Sequence, residues 1–402
     1  MKKKNFFFKS SFIQSKEFYK NLNKTKKVFK SLLLDIDNLE IPLLESFQKE
    51  YEFGFSKNLI KKFSRYKNII VIGMGGSILG TKSIYSFLKR KVKKEVFFFD
   101  NLDANLNLKF KKIKNLNNSC FVVVSKSGDT LETITNFSSI FSKQLFKKKL
   151  VIITEFKNNS LMEIGNKYKA EIIQHKDFIG GRYSVLSEPA MFPAALMGLQ
   201  LKEFKNLKVL IRHKDFVSSL VRNVAVIYTL NKKGINNSII LNYDSSLNDL
   251  GYWYQQLVAE SLGKHGKGIN PMISFAPKDH HSLLQLYLDG PKDKFFTFLK
   301  IFKKENKYKI NANTIPSRFA FLKNKNIQFV IDAQCKATQS IFRLKKIPFR
   351  QITLKEKNEK ELGKIFTFFV LETILLSRLM NVNPFDQPAV EMVKIKTKNF
   401  LV

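Results

Sequence analysis

Acidic residues are scarce in this chain: 33 Asp and Glu stand against 70 Lys and Arg, a formal charge of +37 over 402 residues. Arginine is scarce as well, with nine in all, so the positive charge is almost entirely lysine. Proteins that read base edges depend on arginine forks, and no recognisable DNA- or RNA-binding module is present. The lysines run along the whole chain, as at Lys2–Lys4, Lys147–Lys149 and Lys303–Lys304, instead of forming one stripe. No nucleic-acid partner is expected. Abundant Lys and Phe beside few Arg, Gly and Pro are what AT-rich coding produces. The charge reads as compositional drift that also draws in anionic substrates.

Cysteine is nearly absent. Cys120 and Cys335 both sit in apolar runs, which excludes a disulfide framework and suits small core residues. Histidine numbers five, and no Cys/His/carboxylate spacing suggests a metal site, so neither metal nor cofactor is expected. No uncharged apolar stretch reaches the roughly 18 residues of a membrane span, and no membrane partner is expected. Met1–Phe8 imitates a signal peptide, but Lys9 interrupts the run and no small-residue cleavage site follows. Cytoplasmic placement is therefore the expectation.

What is present is a hydrophobic content of 44%, enough for a large globular core in two or three domains. Residues 1–64 carry helical periodicity through Phe29, Leu32–Leu34, Leu43, Leu44 and Phe47. From Asn68 continuous apolar runs begin: Ile69–Gly73, Val96–Phe99, Phe121–Val124 and Leu150–Ile153. Such runs suit parallel strands buried on both faces, with helices over 78–90, 130–145 and 160–169 between them. A second set of strands is expected at 238–241, 272–275, 295–298 and 329–331, with helices over 248–263, 279–288 and 359–380. The fold class is α/β: two α/β/α sandwiches with parallel sheets, joined by a helical stretch over 188–233, with helical N- and C-terminal segments. The expected units are 1–64, 65–200 and 201–402.

The first strand runs into Gly73-Met-Gly-Gly-Ser-Ile-Leu-Gly80 and then a helix. Glycines let backbone approach an anion, and the helix start supplies free N–H donors. The spacing is not a dinucleotide G-x-G-x-x-G. The third strand ends in Ser125-Lys-Ser-Gly-Asp-Thr130-Leu-Glu-Thr133. An ordinary helix cap explains one or two of these hydroxyls; the whole group suits the terminal oxygens of a phosphomonoester.

A strand, then G-G-S, then S-K-S-G-x-T-x-E-T resembles the sugar isomerase (SIS) fold, which binds phosphosugars. Four later stretches narrow the resemblance. Asp177-Phe-Ile-Gly-Gly-Arg182-Tyr-Ser184-Val-Leu-Ser and Asn383-Pro-Phe-Asp386-Gln387-Pro-Ala-Val-Glu391-Met-Val-Lys394 resemble the two signatures of the glucose-6-phosphate isomerase family. Between them, Gln256-Leu-Val-Ala-Glu260-Ser-Leu-Gly-Lys and Asp279-His-His281-Ser are similar to the segments with the family's catalytic glutamate and histidine. The lead-in Pro271–Asp279 is closer to the short bacterial form.

The resemblance implies reversible isomerisation of glucose 6-phosphate and fructose 6-phosphate, through ring opening and an enediol(ate), in glycolysis and gluconeogenesis. Such chemistry asks for a base beside the carbonyl, and partial desolvation would suit a carboxylate to it; Glu260 fits. Arg182 would stabilise the developing anion without exchanging a proton. His281 would open the sugar ring, helped by Lys394; a one-residue slip in the match would hand the role to His280. The resemblance further implies substrate contacts from Gly76, Ser77, Ser125, Lys126, Ser127, Thr130, Thr133, Gly181, Gln256 and Gln387, and a homodimer whose sites share the histidine. The chain departs from the pattern at Glu188, where a small residue is preferred, and at Gly128-Asp129, which replace a bulkier pair. A dual phosphoglucose/phosphomannose isomerase and a non-catalytic phosphosugar sensor are the alternatives; the second would not need Glu260, Arg182 and Lys394 together.

Overall fold

The computed structural model describes residues 15–302 and 308–402 and the backbone of 9–10. The lysine-rich start at 2–4 and Lys303–Lys304 lie outside the described residues. Among the described residues ten strands form two sheets: β1 (Lys9–Ser10), β2 (Asn68–Gly73), β3 (Glu95–Phe99), β4 (Ser119–Val124), β5 (Leu150–Thr154), β6 (Glu171–Gln174), β7 (Asn237–Asn242), β8 (Asn270–Phe275), β9 (Lys294–Ile301) and β10 (Phe349–Leu354). One sheet runs β3-β2-β4-β5-β6, all parallel. The other runs β1-β10-β9-β7-β8, parallel except for the two-residue edge strand β1, which pairs antiparallel with β10.

The apolar runs form central strands because both faces of each strand find a core. Ile69 and Val71 of β2 point into the main core and Ile70 and Ile72 into a second, the period-two alternation of a pleated strand. In the second sheet Phe295 and Leu299 of β9 face the main core while Phe296 and Phe298 face a third. The main core lies between the two sheets and takes in the helices Gly76–Leu88, Glu188–Leu196, Lys214–Asn231, Asn248–Leu262 and Glu359–Met380. Each fully buried Phe, Leu or Ile there contributes about 1.5–3 kcal/mol.

Three expectations need correction. Residues 329–331 are not a strand; they open the helix Ile327–Leu344, capped by Asn326, whose side chain accepts from Phe329 N at 2.8 Å. Its buried positions, Cys335, Thr338, Gln339 and Phe342, follow the helical period. Three strands went unforeseen: the two-residue β1, β6 and β10. β10 hides behind a buried Arg350, which forks onto Glu372 (2.9 Å for one of the two bonds), and β6 has two apolar residues between Glu171 and Gln174. The helix expected over 130–145 breaks at Phe141 into Leu131–Ile140 and Lys143–Phe146.

Candidate active site

The order β3-β2-β4 means the chain leaves β2 toward one side and returns on the other, so a crevice opens at the carboxyl ends of β2 and β4. Gly73 at the end of β2 lies in register with Val124 at the end of β4. Both candidate phosphate loops therefore emerge side by side.

In the first loop, Gly75 has φ +51° and its Cα faces Gln256: a Cβ there would stand 2.8 Å from Gln256 Nε2. A Cβ on Gly76 would fall 2.1 Å from the carbonyl carbon of Gly181. The glycines let the cradle loop touch the turn that carries Arg182. Ser184 reinforces the contact, its Oγ donating to Gly181 O (2.8 Å) and Gly76 O (3.3 Å). Half-buried Ser77 lies in the first turn of the Gly76–Leu88 helix.

In the second loop, Ser125 is buried, its Oγ pairs with Thr130 Oγ1 at 2.8 Å and lies 3.5 Å from Ser127 Oγ, and Gly128 N donates to it at 3.1 Å. Thr133 is fully buried, and among the described residues its hydroxyl and the buried Gln256 Oε1 have no hydrogen-bond partner. Buried polar groups normally find a partner, so these two mark places a ligand's polar atoms can satisfy. Gly128 takes φ +77°, and a Cβ would sit 2.0 Å from Asn159 Oδ1, so this position needs glycine. Asp129 turns from the hydroxyls and accepts from Ser160 N (2.9 Å) and Ser160 Oγ (2.7 Å). Its charge caps the Ser160–Tyr168 helix.

Arg182, 1% exposed, spends all five N–H donors: Nε on Ser261 Oγ (2.9 Å), one terminal nitrogen on Glu260 Oε2 (3.1 Å) and Gln387 Oε1 (2.6 Å), the other on the carbonyls of Pro384 (2.5 Å) and Asp386 (3.0 Å). Glu260 Oε1 accepts from Gln256 Nε2 at 2.8 Å, one helical turn earlier. With its side chain 34% exposed, Glu260 is partly desolvated, as its expected role asks. Tyr183 OH meets Ser261 Oγ (2.8 Å) and Pro384 O (3.0 Å), and burial pushes its phenol pKa up. Lys264 ion-pairs with Asp386 at 2.6 Å and holds that carboxyl below the usual range.

Three expected residues stand apart from this cluster. Lys126 Nζ donates to Asp177 O (2.6 Å) and lies 3.6 Å from Glu155, not on the hydroxyls. His281 is exposed beyond β8, the edge strand of the second sheet, whereas His280 is tied to Tyr243 OH at 2.9 Å. Lys394 sits on the exposed helix Glu391–Leu401 and pairs with Glu391 at 3.0 Å.

A family model described as phosphoglucose isomerase matches residues 44–401. The chain belongs to the phosphoglucose isomerase family. Among relatives from that family, the glucose-6-phosphate isomerase of Methanocaldococcus jannaschii is 34% identical over 83% of this chain and 84% of its own. That of Campylobacter jejuni is 31% identical over 83% and 85%. A hypothetical protein of Thermus thermophilus shares the fold with a TM-score of 0.80 at 20% identity, covering 96% of each chain. The glucose-6-phosphate isomerase of Chlamydia trachomatis shares it at 0.70 and 19%, over 86% of this chain and 71% of its own.

Ser261, Tyr183 and Lys264 were not singled out in the sequence. All three lie inside the phosphoglucose isomerase motifs: Ser261 directly beside Glu260, Tyr183 directly beside Arg182, and Lys264 four residues after Glu260. Their signal was position alone, since each acts by holding a neighbour and carries no chemistry of its own at the reacting carbons.

Proposed function

We propose that this chain interconverts glucose 6-phosphate and fructose 6-phosphate through an enediolate, as a cytoplasmic homodimer in glycolysis and gluconeogenesis. The observation that carries this reading is the convergence of Glu260, Arg182 and Gln387, from three separated stretches, beside two loops of glycine and hydroxyl donors. The phosphate rests against the Gly76–Leu88 helix start and the hydroxyls of Ser77, Ser125, Ser127, Thr130 and Thr133. Lys126 lies close enough in sequence to join them on leaving Asp177. That anchor fixes C1 and C2 of the opened sugar near Glu260. Glu260 removes the proton from C2 of the aldose and returns it to C1 while the hydroxyl proton passes from O2 to O1, giving the ketose; the reverse reaction moves both back. Charge builds on the enediolate oxygens, and Arg182 stabilises it with a guanidinium that cannot lose a proton. Gln256 and Gln387 orient Glu260 and the sugar hydroxyls.

Ring opening needs a proton shuttle between the ring oxygen and the anomeric hydroxyl, the work of His281 with Lys394. His281 is exposed beyond an edge strand, and the helix Glu391–Leu401 exposes Met392, Val393, Ile395, Phe400 and Leu401. These surfaces support a paired state in which one protomer's His281 serves the other's Glu260.

The test is a coupled assay, fructose 6-phosphate in and glucose 6-phosphate read out, with Glu260→Gln beside the wild type. A general base contributes about 10²- to 10⁴-fold, and the variant should lose a factor in that range while still binding substrate. Unchanged turnover in the variant removes Glu260 from the role. Exchange of the C2 proton with solvent supports the enediolate path over a hydride shift.

A further inference from the structure

We infer that Lys205, acting with Glu188 and Tyr51, is a positioning residue for Arg182: a buried clamp that grips the Gly181–Leu186 turn from behind. The inference rests on the role proposed for Arg182. Lys205 is 0% exposed, although lysine is rarely buried without a partner. Its Nζ donates to Leu186 O at 2.8 Å, the last residue of the turn, and to Ser46 O at 2.7 Å, a residue 159 positions away. The same ammonium lies 4.2 Å from the ring centres of both Tyr51 and Phe53, an aromatic cradle for a cation.

Glu188 completes the arrangement on the other side of Tyr51. It is 0% exposed, accepts from Tyr51 OH at 2.9 Å on each oxygen, and accepts from Gly54 N at 3.0 Å. Glu188 opens the helix that follows the turn. Two points just downstream of Arg182, Leu186 and Glu188, are thus tied to one segment, 46–54. Upstream, the turn is pinned by the contact of Gly181 with Gly76. The turn cannot shift as a unit without breaking one set.

The chemistry accounts for a lysine here. An apolar side chain of the same volume would fill the space but orphan two buried carbonyls. It would also remove the ammonium whose charge reaches the buried Glu188 carboxylate. Burial pushes the Lys205 amine down to about 7, partly opposed by Glu188. A neutral amine still has two N–H groups, so both hydrogen bonds survive its deprotonation. Glu188 is the residue at which this chain departs from the family signature, and Lys205 and Tyr51 are what make a buried acid tolerable there.

The phosphate loops 73–77 and 125–133 make no bond to the clamp, so its loss should act on kcat and spare KM. Lys205→Met, assayed below its melting temperature, is expected to lose about ten- to a hundredfold in kcat, the scale of a misplacement near 1 Å. KM and competitive inhibition by inorganic phosphate should stay within about twofold. Glu188→Gln keeps the acceptors for Tyr51 and Gly54 and should retain most of the activity. If Lys205→Met does not fold, Tyr51→Phe removes only the hydroxyl bond to Glu188 and should still lower kcat, by about twofold or more. A folded Lys205→Met or Tyr51→Phe with wild-type kcat overturns the inference, as does an equal effect on KM.

A second readout does not depend on turnover. The sparse arginine complement leaves the Nε–H region of a ¹⁵N spectrum uncrowded, and the Arg182 signal can be assigned with Arg182→Lys. That Nε–H should be protected from exchange in wild type and lose protection in Lys205→Met; unchanged protection also overturns the clamp. A wild type that shows the protected signal but no isomerisation would sink the proposed function and leave the clamp standing.

Discussion

Four parallel strands of each sheet share one order, β3-β2-β4-β5 and β8-β7-β9-β10, but the side chains at their ends differ. In each, the chain leaves one strand, pairs the next on one side and the following one on the other, so each has a crevice: β2/β4 in the first, β7/β9 in the second. The first is bordered by Gly73–Ser77 and a run of hydroxyls, with the Thr133 hydroxyl buried and unpartnered. The second is bordered at the end of β7 by Asp244, whose carboxylate accepts from Ser246 N (3.0 Å) and Ser246 Oγ (2.6 Å) and pairs with Lys357 at 3.2 Å. One crevice presents donors to an anion; the other has its own anion in place. The second sheet contributes differently, through the helix after β7, Asn248–Leu262, which carries Gln256 and Glu260 across to the first crevice. Topology supplies a crevice twice, and in the function proposed above the side chains at its border, not the strand order, assign substrate to the first.

The sharpest way to break that contrast is to remove the group where the halves meet. Arg182→Met leaves the phosphate loops intact but strips the charge from the developing enediolate and frees Glu260, Gln387 and the 384–386 carbonyls together. A fall of about 10²- to 10³-fold in kcat is expected, the scale of losing one preorganised oxyanion donor, with KM changed far less. Steady-state kinetics in both directions measures the split. If KM rises and kcat holds, Arg182 belongs with the phosphate contacts.

A smaller effect compares the crevices directly. Ser125→Ala with Thr130→Val removes a 2.8 Å hydroxyl pair from the first loop. Two lost bonds to a charged phosphate should raise KM by about tenfold or more, with kcat nearly unchanged. Asp244→Asn at the second crevice should leave KM alone and lower stability by about 1–2 kcal/mol as its link to Lys357 weakens. Equal effects on KM would mean both crevices bind substrate.

Much of this division was legible in the residues. Continuous apolar runs located β2, β4, β5, β7 and β9, because a strand buried on both faces needs no polar alternation. The family resemblance led to the expectation that Arg182, Glu260 and Gln387 work together, and their side chains do meet. What was not legible depended on partners distant in sequence. Arg350 in β10 reads as a surface residue until Glu372 stands beneath it. Residues 329–331 read as a strand because three apolar neighbours outweighed the helix cap at Asn326. Glu188 reads as a blemish in a signature until Tyr51 is seen to donate to it.

The mildest test concerns His175, buried just after β6 in the first sheet. It is 1% exposed; Nδ1 lies 3.0 Å from Lys176 O, and Nε2 has no partner. Burial is the main reason its pKa falls to about 4, the Lys126 ammonium adding to the fall and Lys176 O and Glu155 opposing it. Because the folded value lies below that of the unfolded chain, near 6.5, the unfolded state binds more protons between pH 4 and 6.5. Stability is therefore held above pH 6.5 and lost as pH falls through that window. Urea melts of wild type and His175→Gln at pH 7.5 and pH 5 separate this group from the carboxylates that titrate in both proteins. The wild type should lose more stability than the variant between the two pH values. Equal losses would mean that His175 takes up its proton as readily in the folded protein as in the unfolded chain, so that its burial costs nothing across this range.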